Sequence, residues 1–207
     1  MHFPLRLALI GLALAAVAGC GSDTADDAVP TTTADLTSDY AGQEARTIKT
    51  LSDTDIDDLR NGRGWGLAKA AELNGVPGPA HILEMKVEID LSADQESQIV
   101  AIYDEMQAAA IILGERLIEQ EVALNRAFRA DEVTEQSLTE MVEAISATTA
   151  ELRILHLATH LETPDILTAE QIDEYNELRG YLSDDDPCEN VPEGHDETMW
   201  RKHNDCD

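Results

Sequence analysis

The chain has 207 residues, with 14 Lys and Arg against 42 Asp and Glu, and a formal net charge of −28. That imbalance argues against nucleic acid and anionic membrane surfaces as partners, since both carry the same sign, and leaves cations, basic partners or, as the default, plain solubility. The length suits one domain with tails; abundant Ala, Leu, Glu, Gln and Ile with only 4% aromatics favours helices.

Residues 1–19 read as an export signal. One positive charge, Arg6, precedes an apolar run from Leu7 to Ala18 that is too short to span a bilayer. The run ends Leu14-Ala15-Ala16-Val17-Ala18-Gly19-Cys20, small residues directly before a cysteine. This resembles a lipobox, in which the chain is cut before Cys20 and the thiol is acylated. Several acyl chains anchor stably, because each buried methylene adds ~0.8 kcal/mol. Gly21 and Ser22 follow in place of an acidic residue, so the expected location is the periplasm, on the inner leaflet of the outer membrane in preference to the inner membrane. Residues 20–50 are the lipidated cysteine and a tether: from Gly21 to Ala45 the sequence is rich in Asp, Thr and Ala and poor in large apolar groups.

Residues 51–182 form the helical domain. A short helix is expected after Ser52. Trp65 to Leu73 has helical apolar spacing and stops at Asn74-Gly75. Pro79 then suits the first turn of another helix, running through residues 80–89. The main body is two long helices. The first spans Ser92 to about Arg129, with Ile99, Ile102, Met106, Leu113, Leu117, Leu124 and Phe128 forming one buried stripe. The second spans about Thr134 to Glu162, with Leu138, Met141, Ile145, Leu152 and Leu155 inward, until Thr163-Pro164-Asp165 breaks it. A last helix covers about Ala169 to Tyr181. Short connections imply an all-α fold, an antiparallel hairpin of long helices with shorter helices packed on it.

Residues 183–207 are an acidic tail, loose apart from one expected staple. Cys188 and Cys206 are an even pair, which reads as a single disulfide in an oxidising compartment. It would close a loop of about 19 residues and contribute roughly 3 kcal/mol. No CxxC motif occurs, so a thiol-redox centre or zinc knuckle has no basis.

Leu91-Ser92-Ala93-Asp94-Gln95 and Leu167-Thr168-Ala169-Glu170-Gln171 repeat one signal. Ser92 or Thr168 caps a helix start, and Gln95 or Gln171 reaches back to the cap amide, so each is a capping box. Two such boxes in a small exported helical chain resemble the Spy/CpxP family, which comprises LTxxQ-motif periplasmic chaperones and related heavy-metal sensors of the CnrX/ZraP type. The stretches 66–85 and 151–171 look similar to its lipoprotein members. The resemblance implies a bent hairpin that dimerises into a cradle, and one of two roles: holding unfolded envelope proteins or sensing metal. It also implies a membrane signalling protein as a further partner. One departure stands out. The family's cradle presents a basic face to clients, whereas here Arg116, Arg126, Arg129 and Arg153 are the only basic residues on the two long helices.

Every histidine of the exported part lies four residues from another His or a Met: His81–Met85, His156–His160, and His195–Met199–His203. On a helix such pairs share a face, and imidazole with thioether suits Cu, Ni, Co or Zn. Two ligands do not make a tight site, so His156 and His160 would need His81, Met85 or a carboxylate as well. The competing reading of His156 is a hydrogen-bonded histidine at the core edge, and of the tail trio a solvated segment. No nucleophile elbow, phosphate loop or HExxH is present, so an enzyme is not expected. The alternative function is a non-metal lipoprotein that docks on another envelope component.

Overall fold

Helix starts in this chain are written by side chains that fold back onto their own first turn. Ser52, Ser92, Thr134 and Thr168 each accept a bond from the backbone amide three residues on, and each cap amide is bonded in return by the side chain there. These boxes open α1 (Asp53–Arg60), α4 (Ala93–Ala130), α5 (Glu135–Glu162) and α6 (Ala169–Leu178). Between them lie α2 (Lys69–Glu72) and α3 (Pro79–Glu84), the latter with proline at its first position, where the missing amide costs nothing. A seventh helix, α7 (Glu197–His203), is capped by Asp196.

The computed structural model describes residues 37–182, 187–189, 191, 196–204 and 206, and among them there is no strand. The chain divides into two units, Met1–Asp39 and Tyr40–Asp207, and everything below concerns the second. The export signal 1–19, Cys20 and the tether as far as residue 36 lie outside the described residues. The end of the expected tether is part of the domain. Ile48 and Leu51 are buried, because they cover apolar surface where α1 meets α4.

The 38-residue α4 and 28-residue α5 form the long antiparallel pair, about 57 and 42 Å at 1.5 Å per residue. Asp131, in the left-handed region at φ 55°, ends α4 and starts the return. One core joins Met106, Ala110, Leu117 and Ile118 of α4 to Leu59 of α1 and Leu152 of α5. Gly114 lets α1 come close, since a Cβ there would collide with the Leu59 carbonyl. A second core gathers Ile82, Ile89, Ile99 and Tyr175.

Three expectations are corrected. Phe128 is 59% exposed and Leu138 36% exposed: the buried layer on α4 ends at Ile118, and the last contacts of the segment before α1 reach only Glu121 and Asn125. Trp65 to Leu73 is helical only over Lys69–Glu72, because Gly64 and Gly66 bracket Trp65, itself left-handed at φ 43°. The helix begun at Pro79 ends at Glu84, and residues 85–90 turn so that Ile89 reaches the core.

The two glutamines of the repeated boxes also bind each other. Gln95 Nε2 donates to Gln171 Oε1 at 2.8 Å and to the Ile166 carbonyl at 2.9 Å. Gln171 Nε2 donates to Gln95 Oε1 at 3.2 Å and to the carbonyls of Ile89 and Asp90 at 3.3 Å. Each Oε1 also accepts its own cap amide, from Ser92 or Thr168, which fixes both amide orientations. Boxes 76 residues apart are thereby clasped, and α6 is held across the start of α4.

This clasp predicts a coupled loss. Gln95→Ala and Gln171→Ala should each cost about 2 kcal/mol, a cap plus a part-buried bond. The double variant should cost at least about 1 kcal/mol less than the sum, because the first change already breaks the shared pair. Urea denaturation of the four proteins measures this, and strictly additive losses would rule the clasp out.

Candidate functional site

Beyond Leu152 the buried stripe of α5 turns polar: His156, Thr159 and His160, followed by Thr163 just past the helix end. The threonines are tolerated because they satisfy themselves, Thr159 Oγ1 on the His156 carbonyl and Thr163 Oγ1 on the Thr159 carbonyl, both at 2.7 Å. The histidines donate backward as well. His156 Nδ1 lies 2.9 Å from the Leu152 carbonyl and His160 Nδ1 2.8 Å from the Val76 carbonyl. A carbonyl only accepts, so each Nδ1 carries a hydrogen and donates it. His156 is thus buried within the stripe, one i+4 step after Leu152, and its Nε2 has no partner.

A cleft of about 540 Å³ lies over this polar end, walled by the loop at Trp65, by α2, α3 and α5, and by Tyr103 and Met106 of α4. His81, His156 and His160 all line it. Glu72, the last residue of α2, stands among them. Its Oε1 is 3.7 Å from His160 Nε2 and 3.9 Å from His81 Nε2. Its Oε2 accepts from Tyr175 at 2.7 Å and from Tyr181 at 3.1 Å, with Arg179 at 4.0 Å. His81 Nδ1 is 2.8 Å from Glu84, so this ring too turns its Nε2 toward Glu72. Gly78 leaves room beside His160, where any Cβ would strike Nε2.

Glu72 Oε1 and the Nε2 atoms of His81 and His160 therefore face one small space, each side chain fixed from behind: His160 by Val76, His81 by Glu84, Glu72 by two phenols. A carboxylate oxygen flanked by two imidazoles is suited to sharing a proton or a cation. Among the described residues no group of three His, Cys, Asp or Glu is placed so that it could hold a metal ion. The gaps of 3.7 and 3.9 Å exceed the roughly 3.3 Å that ligands at ~2.05 Å span in a tetrahedron.

The other expected ligands are placed elsewhere. Met85 is not helical: it caps α3 and packs against the core around Ile82, so it shares no face with His81. Met199 is exposed on α7, while His195 and the His203 side chain lie outside the described residues. In that tail Cys188 and Cys206 are joined by a disulfide with Cα atoms 5.3 Å apart. Arg201 ties both ends, donating to the carbonyls of Cys188 and Cys206 at 3.2 and 2.7 Å. Sequence reasoning missed Glu72, Tyr175, Tyr181 and Gly78. Glu72 is one acidic residue among 42 and carries no local mark; the tyrosines could have been noticed as two of only four in the chain.

The sequence profile of the LTXXQ motif family matches residues 79–179. Residues 79–179 carry the pattern of that family. At the family level this points to a periplasmic chaperone or metal-response protein. No curated protein and no solved structure matches significantly. The matched stretch contains both glutamine boxes, His81, His156, His160 and Tyr175; Glu72 and Tyr181 fall outside it.

Burial, reinforced by the neighbouring Glu72, pushes the Tyr175 hydroxyl far above the usual phenol range, and burial also pushes Tyr181 up. The folded chain thus keeps protons that the unfolded chain releases near pH 10, so this stabilisation is complete below about pH 10 and is lost as pH rises beyond it. The melting temperature should fall more between pH 9 and 11 in the wild type than in Tyr175→Phe. Equal falls would show that the phenols do not carry the effect.

Proposed function

We propose that this is a lipid-anchored periplasmic protein of the metal-responsive kind within the LTXXQ family, taking one divalent transition-metal ion between His81 Nε2, His160 Nε2 and Glu72 Oε1. One observation carries the reading: the Nε2 atoms of His160 and His81 lie 3.7 and 3.9 Å from one oxygen of Glu72, with every opposite atom tied by a hydrogen bond. Two nitrogens and one oxygen suit Zn, Co, Ni or Cu rather than Mg or Ca. His156, with its unpartnered Nε2 in the same cleft, is the nearest further donor. An ion here would join α2, α3 and α5, giving metal level a mechanical output to a second copy or a signalling partner. The small-residue run before Cys20 supports export and acylation, and the Cys188–Cys206 disulfide fits an oxidising compartment.

Equilibrium dialysis against Zn, Co, Ni and Cu should find one ion per chain, with affinity at least about tenfold lower in His81→Ala and in Glu72→Gln. His81 sits at the surface of α3, so its removal leaves the cores intact. Absence of specific uptake, or unchanged affinity in both variants, would overturn the proposal. Separately, Cys20→Ala should move the protein from the membrane fraction to the soluble periplasm, and retention on the membrane would count against acylation there.

A second reading has its own support. Ile112, Phe128, Ile154 and Leu161 are more than half exposed on the long helices, an apolar surface able to hold unfolded chains. A protein that fails to suppress aggregation of a denatured client at several-fold excess would not be such a holder.

A further inference from the structure

The cleft has a second wall, on the side of the first core, that the Glu72 cluster does not use. Met106 is buried in that core, and Trp65 and Tyr103 pack against it. All three line the cleft, as does His156, one turn beyond the buried Leu152. This wall holds strain. Trp65 stands in the left-handed region at φ 43°, which a bulky side chain disfavours. The other two non-glycine residues there, among those described, are Asp90 and Asp131, and aspartate tolerates that region. The indole is nevertheless tied in place: Nε1 donates to Asp55 Oδ1 at 2.8 Å, and Asp55 is fixed by the Ser52 box that opens α1. Backbone strain that survives folding gathers at functional sites.

Two polar groups on the same wall have bonding capacity left over. His156 is 4% exposed and gives its Nδ1–H to the Leu152 carbonyl. Nε2 of the neutral ring is then an acceptor, and it meets no donor among the described residues. Tyr103 is the converse. Its hydroxyl oxygen accepts from Gln107 Nε2 at 3.0 Å, an amide also anchored on the Asn61 carbonyl at 3.0 Å, and its hydrogen reaches no described acceptor. One hydroxyl group answers both, donating to His156 and accepting from Tyr103. Carried on an aromatic ring, that hydroxyl also brings a flat face to the indole of Trp65 and the thioether of Met106. At about 540 Å³ the cleft has the size of a small-molecule site and far exceeds what one water fills. We propose that the cleft binds a hydroxylated aromatic group of one or two rings, its hydroxyl between His156 Nε2 and Tyr103 and its ring beside Trp65 and Met106. A free phenol and the tyrosine side chain of another polypeptide offer this same chemistry, and the test separates them. The proposal uses none of Glu72, His81 and His160, so it stands or falls apart from the ion reading.

The probes are 2-naphthol, 2-methoxynaphthalene, whose ether oxygen accepts but cannot donate, and N-acetyl-tyrosinamide. Each is dialysed to equilibrium against the full chain as wild type, His156→Leu and Tyr103→Phe, with EDTA present so that ion uptake plays no part. Circular dichroism and melting show that each protein is folded. Leucine continues the apolar stripe of α5, and phenylalanine removes only the hydroxyl. The wild type should take up one 2-naphthol per chain and bind the methoxy compound about tenfold more weakly. His156→Leu should abolish that preference, because the acceptor of the donated bond is gone. Tyr103→Phe should weaken both naphthalenes several-fold and keep the preference between them. A merely structural His156 would leave the preference unchanged. Tyrosinamide binding within a few-fold of 2-naphthol assigns the site to tyrosine side chains of polypeptides; 2-naphthol binding without it assigns the site to free phenols. A wild type with no saturable uptake of 2-naphthol overturns the proposal. So does equal binding of the two naphthalenes, or a preference that survives in folded His156→Leu.

Discussion

Everything at the functional end of this molecule depends on a pair of side-chain amides. Gln95 and Gln171 each serve three masters: their own helix cap, the partner's amide, and carbonyls of the opposite segment. An isolated ten-residue helix such as α6 is marginal in water. The clasp binds its first turn to the first turn of α4, a helix already committed to the core, and the chain between them must double back. That return sets Tyr175 beside Ile82 and Ile99 and brings its hydroxyl to Glu72. A motif that reads as two helix-starting signals is therefore also a long-range tie.

The second constraint is electrostatic. Burying five polar side chains on one run from Thr148 to Thr163 would be costly if they lacked partners. Helix-internal bonds absorb most of the demand: Thr159 and Thr163 donate to carbonyls three and four residues back, and His156 to one four back. His160 is different. Its proton goes to Val76, across the molecule, and its other nitrogen is left facing Glu72, whose second oxygen is engaged by the tyrosines. The unsatisfied remainder of the network thus lies along the cleft, at His156 Nε2 and between His160 and Glu72. A surface ion pair would spread such a demand into solvent; here the His160 side chain is 6% exposed and Glu72 14%.

Much of this was legible in the sequence, for reasons that differ by element. Capping boxes are local, so Ser52, Ser92 and Thr168 marked their helices to within a residue. The stripe on α4 could be read as far as Leu117, because apolar spacing reports burial wherever a third layer exists. It misled at Phe128, where none does. The spacing of His156 and His160 drew attention to a turn of α5 that lines the cleft, whereas His81 and Met85 do not share a helical face. Pattern counting assumed a helix that stops at Glu84. What periodicity could not show was Glu72. It approaches the histidines through tertiary contact, from a four-residue helix whose residues have no amphipathic signature, and its importance lies in which neighbours surround it.

The large negative charge takes on a more definite meaning in this setting. A net charge of −28 on a chain of this length draws cations of every kind toward the surface and raises their local concentration, without choosing among them. Hard ions such as Ca²⁺ and Mg²⁺ find oxygen ligands everywhere on the solvated helical faces. The cleft is the place where two imidazole nitrogens stand near one carboxylate oxygen, and nitrogen donors favour transition-metal ions over Ca²⁺ and Mg²⁺. In the proposed function, collection by charge and recognition by donor chemistry would be separate tasks given to separate parts of the molecule: the acidic helical faces would collect, and Glu72, His81 and His160, held from behind by Val76, Glu84 and two tyrosines, would recognise.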